Sequence, residues 1–137
     1  MPRNLKNIIQ DFYDELGHAY RTKELRSPKL HLHEHATLLA NVHFYEGKDE
    51  IIKVYSNMSF IIQEQCIEHQ YFDHESCCTF YKTRSMIPDI TIQAADRVVV
   101  KEGRIMSIYS IYDTEAWKNL MGLLQNLDSA HSFFKEH

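Results

Sequence analysis

Apolar side chains recur with helical spacing through the first half of the chain and with the two-residue spacing of strands through most of the second. Residues 4–16 place Leu5, Ile8, Ile9, Phe12, Tyr13 and Leu16 on one helical face, with Gly17 as a stop. After the polar stretch RTKELRSPK, Pro28 is placed to open a short second helix through LHLHEHA, and ATLLANV reads as a short buried strand. Glu46-Gly47-Lys48 breaks that strand, and a long helix beginning near Lys48 carries the stripe Ile51, Ile52, Tyr55, Met58, Ile61 and Ile62.

The period then changes. Segments 65–73, 76–84, 89–100 and 104–112 are rich in Ile, Val, Thr, Tyr and Phe, which predicts four strands. Asp73-His74-Glu75-Ser76 suits a hairpin turn, as does Lys101-Glu102-Gly103, where glycine supplies a positive φ. Asp113 or Thr114 caps a last helix, TEAWKNLMGLLQ, ahead of a frayed tail. Helices gathered early and strands late predict an α+β domain, with the strands linked mainly as a meander.

At 137 residues the chain fits a single domain, 1–137, and it shows no linker, repeat or low-complexity tract. Its 15 Lys+Arg against 19 Asp+Glu leave no basic surplus for a phosphate backbone, so nucleic acid is not an expected partner. Mean hydropathy is −0.42 and no run of about 18 apolar residues occurs, so no membrane span is expected. The opening residues read as an amphipathic helix and not as a secretory signal. Three cysteines, Cys77 and Cys78 adjacent, argue against a disulfide framework and for reduced thiols in a cytoplasm. Eight Tyr, seven Phe and one Trp can build a core or line a cavity for a flat apolar ligand.

Two stretches resemble the nuclear transport factor 2-like (SnoaL-like) superfamily. His35-Ala36-Thr37-Leu38-Leu39-Ala40, followed by Gly47-Lys48-Asp49-Glu50-Ile51, is similar to that family's passage from first strand into long helix. Asp96-Arg97-Val98-Val99-Val100-Lys101-Glu102-Gly103-Arg104-Ile105, running on to Tyr112-Asp113, resembles its strand, hairpin and returning strand. The resemblance covers about residues 4–120, with the last helix and tail at 114–137. It implies a curved antiparallel sheet wrapped around the N-terminal helices as a cone with an internal apolar pocket, often dimerising through the sheet. Members include cofactor-free isomerases, dehydratases and cyclases acting on hydrophobic substrates, and modules that only bind.

Asp96 is the residue most suggestive of chemistry. The alternating face Ile90, Ile92, Ala94, Asp96, Val98, Val100 is apolar apart from this carboxyl. Burial there would favour the protonated form, able to donate a hydrogen bond to a developing oxyanion, an arrangement that ketosteroid isomerase uses. The position of Asp96 before the hairpin also resembles that enzyme's donor aspartate, and Tyr13 stands nearest to its oxyanion tyrosine. The enzyme's basic aspartate is missing, since the matching stretch reads Leu38-Leu39-Ala40-Asn41. His69 is the expected replacement base: pairing Tyr71 with Cys78 and His69 with Phe80 gives an apolar face of Ile67, His69, Tyr71, Cys78 and Phe80.

The expected pocket wall is Leu16, Leu38, Ala40, Tyr55, Met58, Ile67, Tyr71, Phe80, Val98 and Tyr109. His31, His33 and His35 alternate as strand ligands of a metal would, but fall at a predicted turn, so they read as a solvated polar segment and no metal is expected. His43 reads as a strand-end residue, Cys77 and Cys78 as small buried side chains, Trp117 as packing at a mouth or core, and Asp113 as a cap. Two functions follow. One is a site for a small hydrophobic molecule with cofactor-free acid–base chemistry through Asp96, His69 and Tyr13. The other is a non-catalytic ligand- or protein-binding module that forms a homodimer through its sheet.

Overall fold

The computed structural model describes residues 4–87 and 90–136, with side chains through residue 126. Helix α1 spans Leu5–Thr22, longer than the sequence pattern suggests. Asn4 caps it by accepting from the Asn7 N–H at 2.9 Å, and Lys23 ends it in the left-handed conformation. Gly17 does not stop the helix. A Cβ there would stand 3.2 Å from Gln65 Nε2, so the glycine lets α1 lie close against the strand that carries Gln65.

The short second helix is confined to the 3-10 turn Ser27–Leu30, and His31–Ala36 is not helical. Strand β1 instead begins at Leu32 and runs to Ala40, because Leu32, Ala36 and Leu38 bury one side of an extended chain. His31 Nε2 meets Asp11 Oδ2 at 2.8 Å, tying this corner to α1. A four-residue strand, β2 (His43–Glu46), folds back on β1 and leads into α2 (Lys48–Ser59).

Strands β3 (Ile62–Phe72), β4 (Ser76–Ser85), β5 (Thr91–Lys101) and β6 (Arg104–Tyr112) follow the expected segments. The expected first residue of the third segment, 89, lies outside the described residues. In the β5–β6 turn Glu102 and Gly103 both have positive φ, 52° and 78°, the geometry that a two-residue hairpin loop requires. Asp73 builds the other turn, accepting from the N–H groups of Glu75 and Ser76. Asp113 caps α3 (Thr114–Glu136) by accepting from the Glu115 and Ala116 N–H groups, and the helix continues beyond the predicted segment.

The described strands form one six-stranded sheet in the order β2-β1-β6-β5-β4-β3. The sheet is mixed and not wholly antiparallel, because β1 pairs with β6 in parallel. Its inner face packs against α1 and α2 through a core that includes Ile8, Phe12, Leu16, Ile51, Ile62, Val98 and Ile108. This is an α+β architecture with an open, curved sheet folded around the N-terminal helices.

Candidate functional site

Asp96 sits mid-strand on the inner face of β5 and is 2% exposed. Two tyrosines converge on it from different elements. Tyr13 of α1 donates its hydroxyl to Oδ2 at 2.8 Å, and Tyr81 of β4 donates to Oδ1 at 3.0 Å. The Ser110 hydroxyl stands beside both the carboxyl group and Tyr81. Burial pushes the Asp96 carboxyl above its usual range, and the Ser110, Tyr13 and Tyr81 hydroxyls pull it part-way back. Burial first, and then the nearby Asp96 charge, raise Tyr13, Tyr20, Tyr55 and Tyr81 well above the ordinary tyrosine range, so all four keep their protons.

Beside this cluster lies a cavity of about 150 Å³. Its inner wall includes Tyr20, Leu38, Tyr55, Tyr81 and Ser110, while His43, Tyr45, Tyr112 and Trp117 also line it. Trp117 meets Tyr112 edge-on with ring centroids 5.8 Å apart. A larger open groove of about 670 Å³ runs between α1 and β3–β4. Two of its cations are paired within the protein, Arg84 with Glu64 and Arg26 with Glu15. The smaller cavity is lined mainly by apolar and aromatic side chains, with the hydroxyls of Tyr81 and Ser110 among them.

Proton accounting defines what this site can do. While Asp96 is ionised, the hydroxyl hydrogens of Tyr13 and Tyr81 point into it, and Tyr81 offers the cavity only lone pairs. Once Asp96 takes up a proton it can donate to Tyr81, and the Tyr81 hydrogen is released toward the cavity. Asp96 itself does not line the cavity, so its action on a ligand would pass through Tyr81 or Ser110.

Of the residues singled out from sequence, Tyr13 and Asp96 meet directly, and Leu38, Ala40, Tyr55 and Met58 line the cavity. Leu16 and Val98 are buried in the core beside it. His69 is placed elsewhere. The expected pairings with Phe80 and of Tyr71 with Cys78 are present, but that face points away from the helices. Its opposite carries the buried Cys77, Thr79 and Thr83. Tyr71, Phe80 and Tyr109 are correspondingly 62%, 46% and 46% exposed, and do not wall the cavity. Ile67 does not share their face. A register shift between Ile67 and His69 turns it toward α1, where it lines a shallow groove with Lys6, Gln10 and Tyr13. The His33 and His35 rings lie tilted at 45° with centroids 5.6 Å apart, whereas His31 is engaged with Asp11.

Sequence reasoning missed Tyr81, Ser110, Tyr20 and His43. The signal for Tyr81 was present: once His69 pairs with Phe80, Tyr81 must face the other way, onto the side that Asp96 shares.

No family model matches the sequence, and no curated protein is significantly similar to it. Solved structures are similar in shape. A Bacillus subtilis protein provisionally named an isomerase superposes with a TM-score of 0.72 at 12% identity, covering 88% of this chain and 96% of its own. An NTF2-like protein of unknown function from Cytophaga hutchinsonii gives 0.61 at 20% identity, covering 77% and 90%. A de novo designed protein with a curved β-sheet gives 0.69 at 14% identity, covering 90% and 98%, so the shape by itself does not carry an activity. The chain has the nuclear transport factor 2-like fold.

Proposed function

We propose that the cavity binds a small hydrophobic molecule bearing one oxygen and moves a proton within it without a cofactor, as an isomerase-type enzyme. The observation that carries this reading is the buried Asp96 carboxyl, held by two tyrosine hydroxyls at 2.8 and 3.0 Å beside an apolar cavity. A structural carboxyl needs no such cavity, and an inert cavity needs no hydroxyls. The volume suits about one six-membered ring, since an apolar cavity near 150 Å³ accommodates benzene. Neighbours of this fold that are provisionally named isomerases support the same class. The cysteines are free, which fits a reducing cytoplasm.

Trp117 is the chain's single tryptophan and lines the cavity, so its indole N–H resonance reports occupancy. Titration with cyclohexanone should shift that resonance saturably, and Tyr81→Phe should weaken binding by about tenfold through one lost hydrogen bond. Ala40→Leu, which fills the cavity, should abolish the saturable shift while the fold melts normally. A signal that never saturates, or that Ala40→Leu leaves intact, removes the reading.

A second reading rests on the outer face. Partners in register set Tyr71, Cys78, Arg97, Tyr109, Leu39 and Phe44 in one row across the sheet, and Phe80 and Ile111 lie in the next. Phe44 and Ile111 are 59% and 52% exposed, so this is an extended apolar surface. We propose that it pairs with the same face of a second copy, a two-fold arrangement that lets one patch cover itself. Light scattering should give twice the chain mass, falling to one chain in Ile111→Lys. A monomer at high concentration overturns it.

A further inference from the structure

The cavity's polar end belongs to a single lateral row of the sheet. Register places Gln70, Thr79, Asp96, Ser110, Ala40 and His43 side by side across all six strands, on the face turned to the helices. Gln70 Nε2 donates to Thr79 Oγ1 at 3.2 Å, and Thr79 lies beside the Tyr13 hydroxyl that holds Asp96. The row is therefore continuous in polar side chains from β3 to Ser110 on β6. It is interrupted only at Ala40, and resumes with His43.

Ser110, Ala40 and His43 all line the cavity. Two strand spacings separate Ser110 from His43, about 10 Å between backbones. A methyl group between two polar side chains leaves a seat one ring wide with a hydroxyl on one side and an imidazole on the other. His43 is the one imidazole among the described cavity-lining residues, and its exposed position gives it access to water.

We propose that His43 is a catalytic proton-transfer residue acting on a one-ring carbonyl compound seated over Ala40, with the carbonyl oxygen toward Ser110 and Tyr81. This deepens the isomerase reading of the same cavity and rests on it. The neutral imidazole takes a proton from the carbon next to the carbonyl. The C–H electron pair becomes a C=C bond, and the C=O π pair moves onto oxygen, where the Tyr81–Asp96–Ser110 cluster receives the charge. The imidazolium then returns its proton, either to the same carbon as exchange or to another carbon of a conjugated system as a double-bond shift. The imidazole is restored, and no oxidant or reductant enters.

The test is the rate at which cyclohexanone loses its α-protons to deuterium oxide, followed by proton NMR with the full chain. The native protein should accelerate exchange over buffer. His43→Gln should lower the protein-catalysed rate by about 10²-fold or more while the saturable Trp117 shift persists. His74→Gln, in the exposed β3–β4 turn, controls for a free surface imidazole and should exchange like the native protein. Native-rate exchange in His43→Gln overturns the assignment, as does a native protein that binds cyclohexanone without exchanging it. Absence of any saturable Trp117 shift in the native protein would instead sink the cavity reading itself.

Discussion

One row on each face of this sheet reverses the usual order of a half-buried sheet, in which apolar residues face in and polar residues face out. On the inner face the row from Gln70 to His43 is polar, and on the outer face the neighbouring row from Tyr71 to Phe44 is largely apolar. Both inversions cost free energy in an isolated domain. A buried carboxyl loses hydration, and exposed aromatic rings gain nothing from water. The costs are met differently. Asp96 is satisfied inside the chain by two tyrosines, whereas Phe80, Tyr109 and Ile111 stay about half exposed. In the proposed function the inner inversion, with its own partners, is the site, and the outer one is the interface.

Breaking the inner row should have the larger effect. Asp96→Ala strands the Tyr13 and Tyr81 hydroxyls and opens a void, a loss of about 3 kcal/mol in urea unfolding. A loss under about 1 kcal/mol would show that the cluster is loosely held. The next effect is in pH. Because the folded carboxyl titrates above its ordinary value of 3.8, its contribution to stability is full below that pH and is lost as pH rises through the folded value. Unfolding free energy should fall across that window in the native protein, and this component should vanish in Asp96→Asn. The carbonyl-polarising form of the site should be lost over the same window. The smallest effect belongs to the outer face. Ile111→Lys, which dissociates the proposed pair, should change the unfolding free energy of the single chain by about 0.5 kcal/mol or less. A larger loss would make that face part of the core.

The four late strands and the carboxyl on β5 were legible, the latter because period-two alternation exposes one acid among Ile92, Ala94 and Val98. The inward face of β3–β4 was not. There both faces carry apolar or small residues, Phe80 and Tyr71 on one side and Cys77 and Thr79 on the other, so alternation alone cannot choose between them. Greasiness chose the outer face, and His69 went with it. The extra residue between Ile67 and His69 leaves no compositional mark, and the four residues of β2 are too few to show a period. His43 became a cavity residue only when β2 was seen to fold back on Ala40. Gly17 misled for a similar reason: a glycine that ends a helix and one that admits a neighbouring strand look alike in sequence.

The parallel pairing of β1 with β6 also determines when the hollow can exist. Asn41 clasps the backbone of Tyr112, a partner 71 positions further along, through bonds of 3.0 and 3.1 Å in both directions. Five elements lie between those ends, which makes this closure the most non-local step in building the sheet. On a ribosome the earlier hairpins can form while the chain is still emerging. Ala40 and His43 pair early, in the β1–β2 hairpin, but Ser110 joins them only after the last strand has cleared the exit, so the three-sided seat is a late product of folding.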